Sequence, residues 1–208
     1  MESILEVLTP DNLAFIFKGF GLTLYISLIA IVLSTIIGTV LAVMRNGKNP
    51  VLRIISSIYI EFVRNVPNLL WIFTIFLVFK MKSTPAGITA FTLFTSAALA
   101  EIIRGGLNAV DKGQYEAGMS QGFTSAQILY YIILPPLTNQ IVNLIKNTST
   151  VAIISGVDLM FVTKSWSALN GNYIPAFLGA ALLYFSLCFP VAQFGRKMEQ
   201  TNKKAYSL

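Results

Sequence analysis

Residues 19–44 read GFGLTLYISLIAIVLSTIIGTVLAVM, with Lys18 before them, Arg45 after them and no charge between. The run exceeds the roughly 20 apolar residues that cross a hydrocarbon core, so the chain folds in a bilayer. A second charge-free run separates Lys164 from Arg196 and supplies another span over residues 173–195. With 208 residues, 55% of them hydrophobic and 12% charged, the composition is too apolar for an ordinary soluble domain.

Three spans of mixed character lie between these two. Residues 54–79 carry Glu61, Arg64 and Pro67, and residues 85–107 carry Glu101 and Arg104 towards their far end. Ionisable groups at such places face protein or water rather than lipid. Residues 137–161 contain Lys146 and Asp158 and follow Pro135-Pro136, which reads as a break. The apolar runs are continuous, without the alternation of barrel strands, and backbone groups in lipid must be satisfied within their own segment. The expectation is an all-α membrane protein, a single domain over residues 1–208 with about five transmembrane helices.

Lysine and arginine set the expected orientation. With the N-terminus outside, the inner segments hold Arg45, Lys48, Arg53, Arg104, Lys112, Arg196, Lys197, Lys203 and Lys204. The outer segments then hold Lys18, Lys80, Lys82 and Lys164. The excess favours N-out, C-in, with residues 108–127 as a cytoplasmic loop. The same bias accounts for much of the net charge of +6, and no nucleic-acid partner is expected, because no basic and aromatic cluster stands away from the membrane ends. The apolar run after the acidic N-terminus is too long for a cleaved signal and reads as a retained span. Histidine is absent and the lone Cys188 lies in the last span, which excludes an intrachain disulfide and the usual soft metal sites. No Gly-x4-Gly-Lys-Ser/Thr loop occurs, so no cofactor, ATP included, is expected on this chain.

The expected loop holds the most specific pattern in the sequence. From Glu116 to Pro135 it reads EAGMSQGFTSAQILYYIILP: Glu116-Ala117-Gly118, three residues, Gly122, nine residues, then Ile132-Ile133-Leu134-Pro135. Tyr115 to Gln121 can form a short helix whose small residues Ala117, Gly118 and Ser120 admit a partner's backbone. Gly122 suits a left-handed position that ends it. Glu116 near the first turn complements the helix dipole. A Gly-x3-Gly packing role for Gly118 and Gly122 is the plainer alternative, but Gln114, Ser120 and Gln121 make the segment too polar for it.

This pattern resembles the EAA loop of permease subunits of bacterial ABC importers. Residues 19–28 (GFGLTLYISL), 59–67 (YIEFVRNVP), 99–106 (LAEIIRGG) and 146–149 (KNTS) resemble successive blocks of the polar amino acid uptake permeases. Ala117-Gly118 stands where that family usually has two alanines, and Pro136 where a glutamine often follows. The resemblance implies a type I importer permease fold, multi-pass in a bacterial cell membrane. It also implies a second permease subunit, identical or related, an extracytoplasmic solute-binding protein, and ATPase subunits that carry ATP and magnesium. The ATPase would dock on Tyr115, Glu116, Ala117, Gly118, Gly122, Leu134 and Pro135, and the chain itself would be non-catalytic.

Ionisable groups in the spans are pointers to a solute path, since each costs at least ~2.5 kcal/mol at mid-bilayer. Glu61 with Arg64 and Glu101 with Arg104 stand three residues apart on a helix, so each pair can satisfy itself. For these four, helix pairing or cytoplasmic gating is weighed above solute contact. Lys146, Asn147, Thr148, Ser149 and Thr150 form a polar stripe followed by Asp158, able to offer a zwitterion both signs of charge, although serine and threonine serve helix packing equally well. Mixed charge favours glutamine or glutamate over a cationic amino acid. Two other readings stand beside the importer subunit. One is an ion-coupled secondary carrier using Glu101 and Asp158, against which stand five spans without an inverted repeat. The other is an intramembrane enzyme built on a Ser149 and Lys146 dyad, whose chemical activity Ser149→Ala would abolish.

Overall fold

The computed structural model describes residues 9–206 apart from 109–112, 114–118, 121 and 123, and gives the backbone alone for 125–132 and 201–206. Among the described residues every regular element is a helix. Helix α1 (Pro10–Asn46) contains the whole of the opening run and begins earlier than the charge pattern suggested. Pro10 sits where a helix needs no N–H donor, and Asp11 suits the positive end of the dipole. Helix α2 (Pro50–Asn65) is capped by Asn49, whose Oδ1 accepts from the N–H of Val51 at 3.0 Å and of Leu52 at 3.4 Å.

The expected span over residues 54–79 is divided. Helix α2 stops before Val66, which precedes Pro67 and is therefore driven out of helical geometry, and α3 (Asn68–Val78) starts directly after. Helix α4 (Ser83–Asn108) matches the third expected span. Helix α5 (Ser125–Asn147) corrects the reading of the prolines, because it runs through Pro135 and Pro136 without ending. The two missing donors leave carbonyls one turn earlier short of a partner, which membrane helices tolerate where neighbouring polar groups help. Separately, the Thr138 hydroxyl donates to the Pro135 carbonyl at 2.7 Å, a bond within the next turn that leaves those freed carbonyls untouched.

After α5 the chain tightens into a 3-10 segment (Thr148–Ile154), breaks, and resumes as α6 (Leu159–Asn170), turned by 49° from the preceding run. Helix α7 (Tyr173–Tyr206) follows a left-handed Gly171 at φ 72. Among the described residues three helices are long and apolar enough to cross a membrane, and five spans result when each broken pair is counted as one. The protein is an all-α membrane protein.

The contacts gather into two compact units. One holds the chain as far as Val32 with Val66–Thr92 and Asn143–Phe189. Its core joins Ile16, Leu159, Val162, Trp166, Ala176 and Ala180. The other holds Leu33–Asn65, Leu93–Val142 and the chain from Pro190 onward, with Leu41, Ala42, Ile60 and Ala100 packed together. Gly38 makes that second packing close: a Cβ there would stand 2.9 Å from both the Leu99 Cβ and the Ser96 carbonyl, so α1 and α4 touch backbone to backbone.

Candidate functional site

In the second unit the ends of α1, α2 and α4 bring five charges together. Arg45 donates from Nη1 to Glu101 Oε1 at 2.6 Å and from Nη2 to Glu61 Oε1 at 2.9 Å. Arg104 grips Glu101 with two bonds, from Nε at 3.0 Å and Nη2 at 3.1 Å, and Arg64 approaches the same carboxylate at 3.6 Å. Glu101 is therefore the hub, 18% exposed and faced by three guanidinium groups. Paired geometry of this kind is the strong form of an ion pair. The expected pairing of Glu101 with Arg104 is present. The expected pairing of Glu61 with Arg64 gives way to bonds between helices, because Arg45 can serve both acids at once. Arg45 was invisible as a site residue in the sequence, where it reads as one more positive charge flanking a span. Nearby, the Tyr59 hydroxyl ties α2 to α4 through the Leu93 carbonyl at 3.2 Å and Ser96 Oγ at 3.0 Å.

The polar stripe lies in the first unit, at the end of α5 and in the 3-10 segment. Thr148 is buried and Lys146 exposed, with Asn147, Ser149 and Thr150 between these extremes. The three hydroxyls turn back onto their own helix: Thr148 to the Ile145 carbonyl at 2.7 Å, Ser149 to Lys146 at 2.8 Å and Thr150 to Asn147 at 2.6 Å. Since Ser149 donates to the main-chain carbonyl of Lys146, the geometry gives no support to a serine and lysine dyad.

The segment ends in a Schellman motif. Ser155 takes the left-handed position at φ 57, its N–H meets the Ala152 carbonyl at 3.2 Å, and the Gly156 N–H reaches back to Val151 at 3.0 Å. A Cβ on Gly156 would lie 2.7 Å from Val151 Cγ2 and 3.1 Å from its carbonyl, which reserves the position for glycine. Asp158 follows, fully buried and in extended geometry. Its Oδ1 accepts from the Phe161 N–H at 2.8 Å, capping α6, and its Oδ2 accepts from the Tyr184 hydroxyl of α7 at 3.1 Å. Both oxygens of this candidate path residue are thus held by the protein. Thr23 of α1 accepts from the Leu159 N–H at 3.0 Å, and Ser83 of α4 donates to the Ile154 carbonyl at 2.6 Å. No motif in the sequence signals Thr23, Ser83 or Tyr184, since each meets the break from a distant helix.

Of the expected docking residues, Tyr115, Glu116, Ala117 and Gly118 lie outside the described residues. Gly122 has the left-handed geometry anticipated for it, at φ 85, and its N–H closes on the Met119 carbonyl at 3.0 Å. No described residue stands within 4 Å of where a Cβ would project. Leu134 is half-buried and Pro135 buried. In the same unit a Cβ on Gly106 would strike Ile133, so α4 and α5 lie close where they lead to and from the loop.

Residues 30–203 match the family described as binding-protein-dependent transport system inner membrane component. The chain is 37% identical to a protein named probable glutamine ABC transporter permease protein GlnP of Bacillus subtilis (strain 168), over 92% of this chain and 95% of that one. It is 35% identical to the protein named probable glutamine ABC transporter permease protein GlnM of the same organism, over 94% and 97%. A solved structure described as an amino acid ABC transporter with histidines superposes with a TM-score of 0.79 at 26% identity, covering 92% of this chain and 95% of that one. The MetNI methionine ABC transporter in an inward-facing conformation shares the fold alone, at a TM-score of 0.65 and 17% identity over 92% and 99%.

Proposed function

The chain belongs to the family of binding-protein-dependent transport system inner membrane components, and from that premise we propose that it is the subunit through which glutamine or glutamate crosses the membrane. It is a multi-pass amino acid permease of an ABC importer, a class that works with ATPase subunits and a solute-binding protein. The observation that carries the reading is the match from residue 30 to 203, which includes the loop and the spans on both sides of it. The solute rests on the names of the two Bacillus relatives and on the mixed charge of the spans.

The proposed working arrangement is N-out, C-in, with residues 108–127 on the ATPase side. ATP and magnesium belong to the ATPase, and this chain contributes no hydrolytic group. A second permease subunit completes the path. The ATPase docks on the segment from Tyr115 to Gly122, with Leu134 and Pro135 behind it, and the left-handed turn at Gly122 supports that role. Closure of the ATPases pushes the loop and hence α4 and α5. Glu101 then passes the displacement of α4 through Arg45 to α1 and α2. The test is glutamine uptake into proteoliposomes holding the whole transporter. Uptake should require ATP, and Gly122→Trp should lower it at least about tenfold, an effect of ~1.4 kcal/mol, while membrane insertion stays intact. Undiminished uptake by that variant overturns the docking assignment.

A further inference from the structure

The break between the 3-10 segment and α6 is tied from several helices, and that density needs a reason. A membrane helix that stops within its span frees carbonyls at one end and N–H groups at the other, and in lipid each unsatisfied group costs several kcal/mol. Four elements meet the cost here. Ser83 of α4 takes the Ile154 carbonyl, Thr23 of α1 takes the Leu159 N–H, Asp158 takes the Phe161 N–H, and Tyr184 of α7 holds Asp158 from the far side. Gly19 of α1 makes the approach possible: a Cβ there would lie 3.0 Å from the Asp158 carbonyl and 2.8 Å from Val162 Cγ2.

The opposite side of the same segment is open. Lys146, Ile153, Ser155 and Val157 are exposed, and the partly exposed Ser149 and Thr150 fill the turn between the first two. In the 3-10 turn Thr150 and Ile153, three residues apart, share one face, with the partly exposed Ser149 beside it and Lys146 at the end of the preceding helix. The stripe therefore combines a cation, hydroxyls and the non-glycine left-handed Ser155, while the buried side is closed by hydrogen bonds.

Resting on the permease reading, we propose that Asp158, together with Tyr184, Thr23 and Ser83, is a positioning device that fixes the broken span so that residues 146–157 present this stripe to the solute path. Asp158 acts through the break and does not touch the solute. The carboxylate is needed as an acceptor, not as a charge, because the partners that reach it are neutral: the backbone amides of Phe161 and Met160 and the Tyr184 hydroxyl.

The distinguishing variant is Asp158→Asn, since asparagine caps helices as well as aspartate does. In the complete transporter in proteoliposomes, Asp158→Asn should keep glutamine uptake within about threefold of wild type, whereas Asp158→Ala should lose about tenfold or more. Tyr184→Phe and Thr23→Val each remove one bond and should fall between, which keeps the test alive if the alanine variant fails to fold. A second readout is independent of the solute: Ile153→Cys, in a Cys188→Ala background, is labelled with a water-soluble maleimide. The labelling rate should be unchanged by Asp158→Asn and altered by Asp158→Ala, Tyr184→Phe or Thr23→Val. If Asp158→Asn abolishes uptake while the labelling rate is unchanged, the charge itself is functional and the proposal is overturned. Wild-type labelling and uptake in every one of the other variants overturns it equally. Failure of the wild-type transporter to take up glutamine bears on the solute assignment alone, and the labelling comparison then decides the present one.

Discussion

The two units solve one problem, an acid in a membrane protein, in opposite ways. Glu101, with 18% of its side chain exposed, is surrounded by guanidinium groups from three helices. Asp158, with none exposed, is met by backbone amides and a phenol. The difference follows from access to water. Charged partners are affordable where solvent reaches them, whereas burying an arginine beside Asp158 would add a second large desolvation cost. The first arrangement can exchange partners as helices move, because several donors compete for one carboxylate. The second is a fixed joint. On the proposed reading, the charged cluster goes with the segment that receives the stroke, and the fixed joint with the face offered to the solute.

The contrast predicts a graded series. Glu101→Ala removes the carboxylate that three guanidinium groups share, leaving Arg45 only Glu61, and should cost the most, about 2 kcal/mol, below the full penalty for a buried pair because Arg64 and Arg104 are part exposed. Thermal unfolding of the purified protein in detergent measures it, and Arg45→Ala in the same background should then cost little further, since its main partner is gone. At the fixed joint, Ser155→Gly should instead stabilise by about 1 kcal/mol, because glycine adopts φ 57 without the clash that serine bears. Uptake should fall if the strained residue is needed for presenting the stripe, so unfolding and transport are to be measured together. The smallest effect is expected for Glu61→Ala. Its side chain is 66% exposed, and solvent screening holds such a pair below about 1 kcal/mol. Comparing its unfolding with wild type at low and high salt should show the difference vanish as salt rises, while that of Glu101→Ala persists.

What was legible in the sequence depended on whether a neighbour in the chain supplied the answer. The charge-free run after Lys18 specified α1 by itself, and Gly122 announced a left-handed helix end. Glu101 and Arg104 were paired correctly because one helical turn brings them together. Glu61 was paired wrongly, since its partner Arg45 sits on another helix and no local pattern measures that distance. Pro135-Pro136 suggested a break by a rule learned from helices in water. The helix instead runs through both prolines, whereas Pro67 does end one, so proline alone does not locate a break. The true break falls at Ser155–Asp158, where the sequence offers only a serine, a glycine and an aspartate amid apolar residues. The ties that make it tolerable come from Thr23, Ser83 and Tyr184.

The central claim is that this chain transmits work done by a separate ATPase. Its most direct test is to purify the tagged protein from its own host in mild detergent and identify what remains bound. The account predicts an ATPase bearing a P-loop, retained by wild type and by Glu61→Ala and released by Gly122→Trp. Recovery of the chain without any ATPase, active in uptake after reconstitution in the absence of ATP, would contradict it.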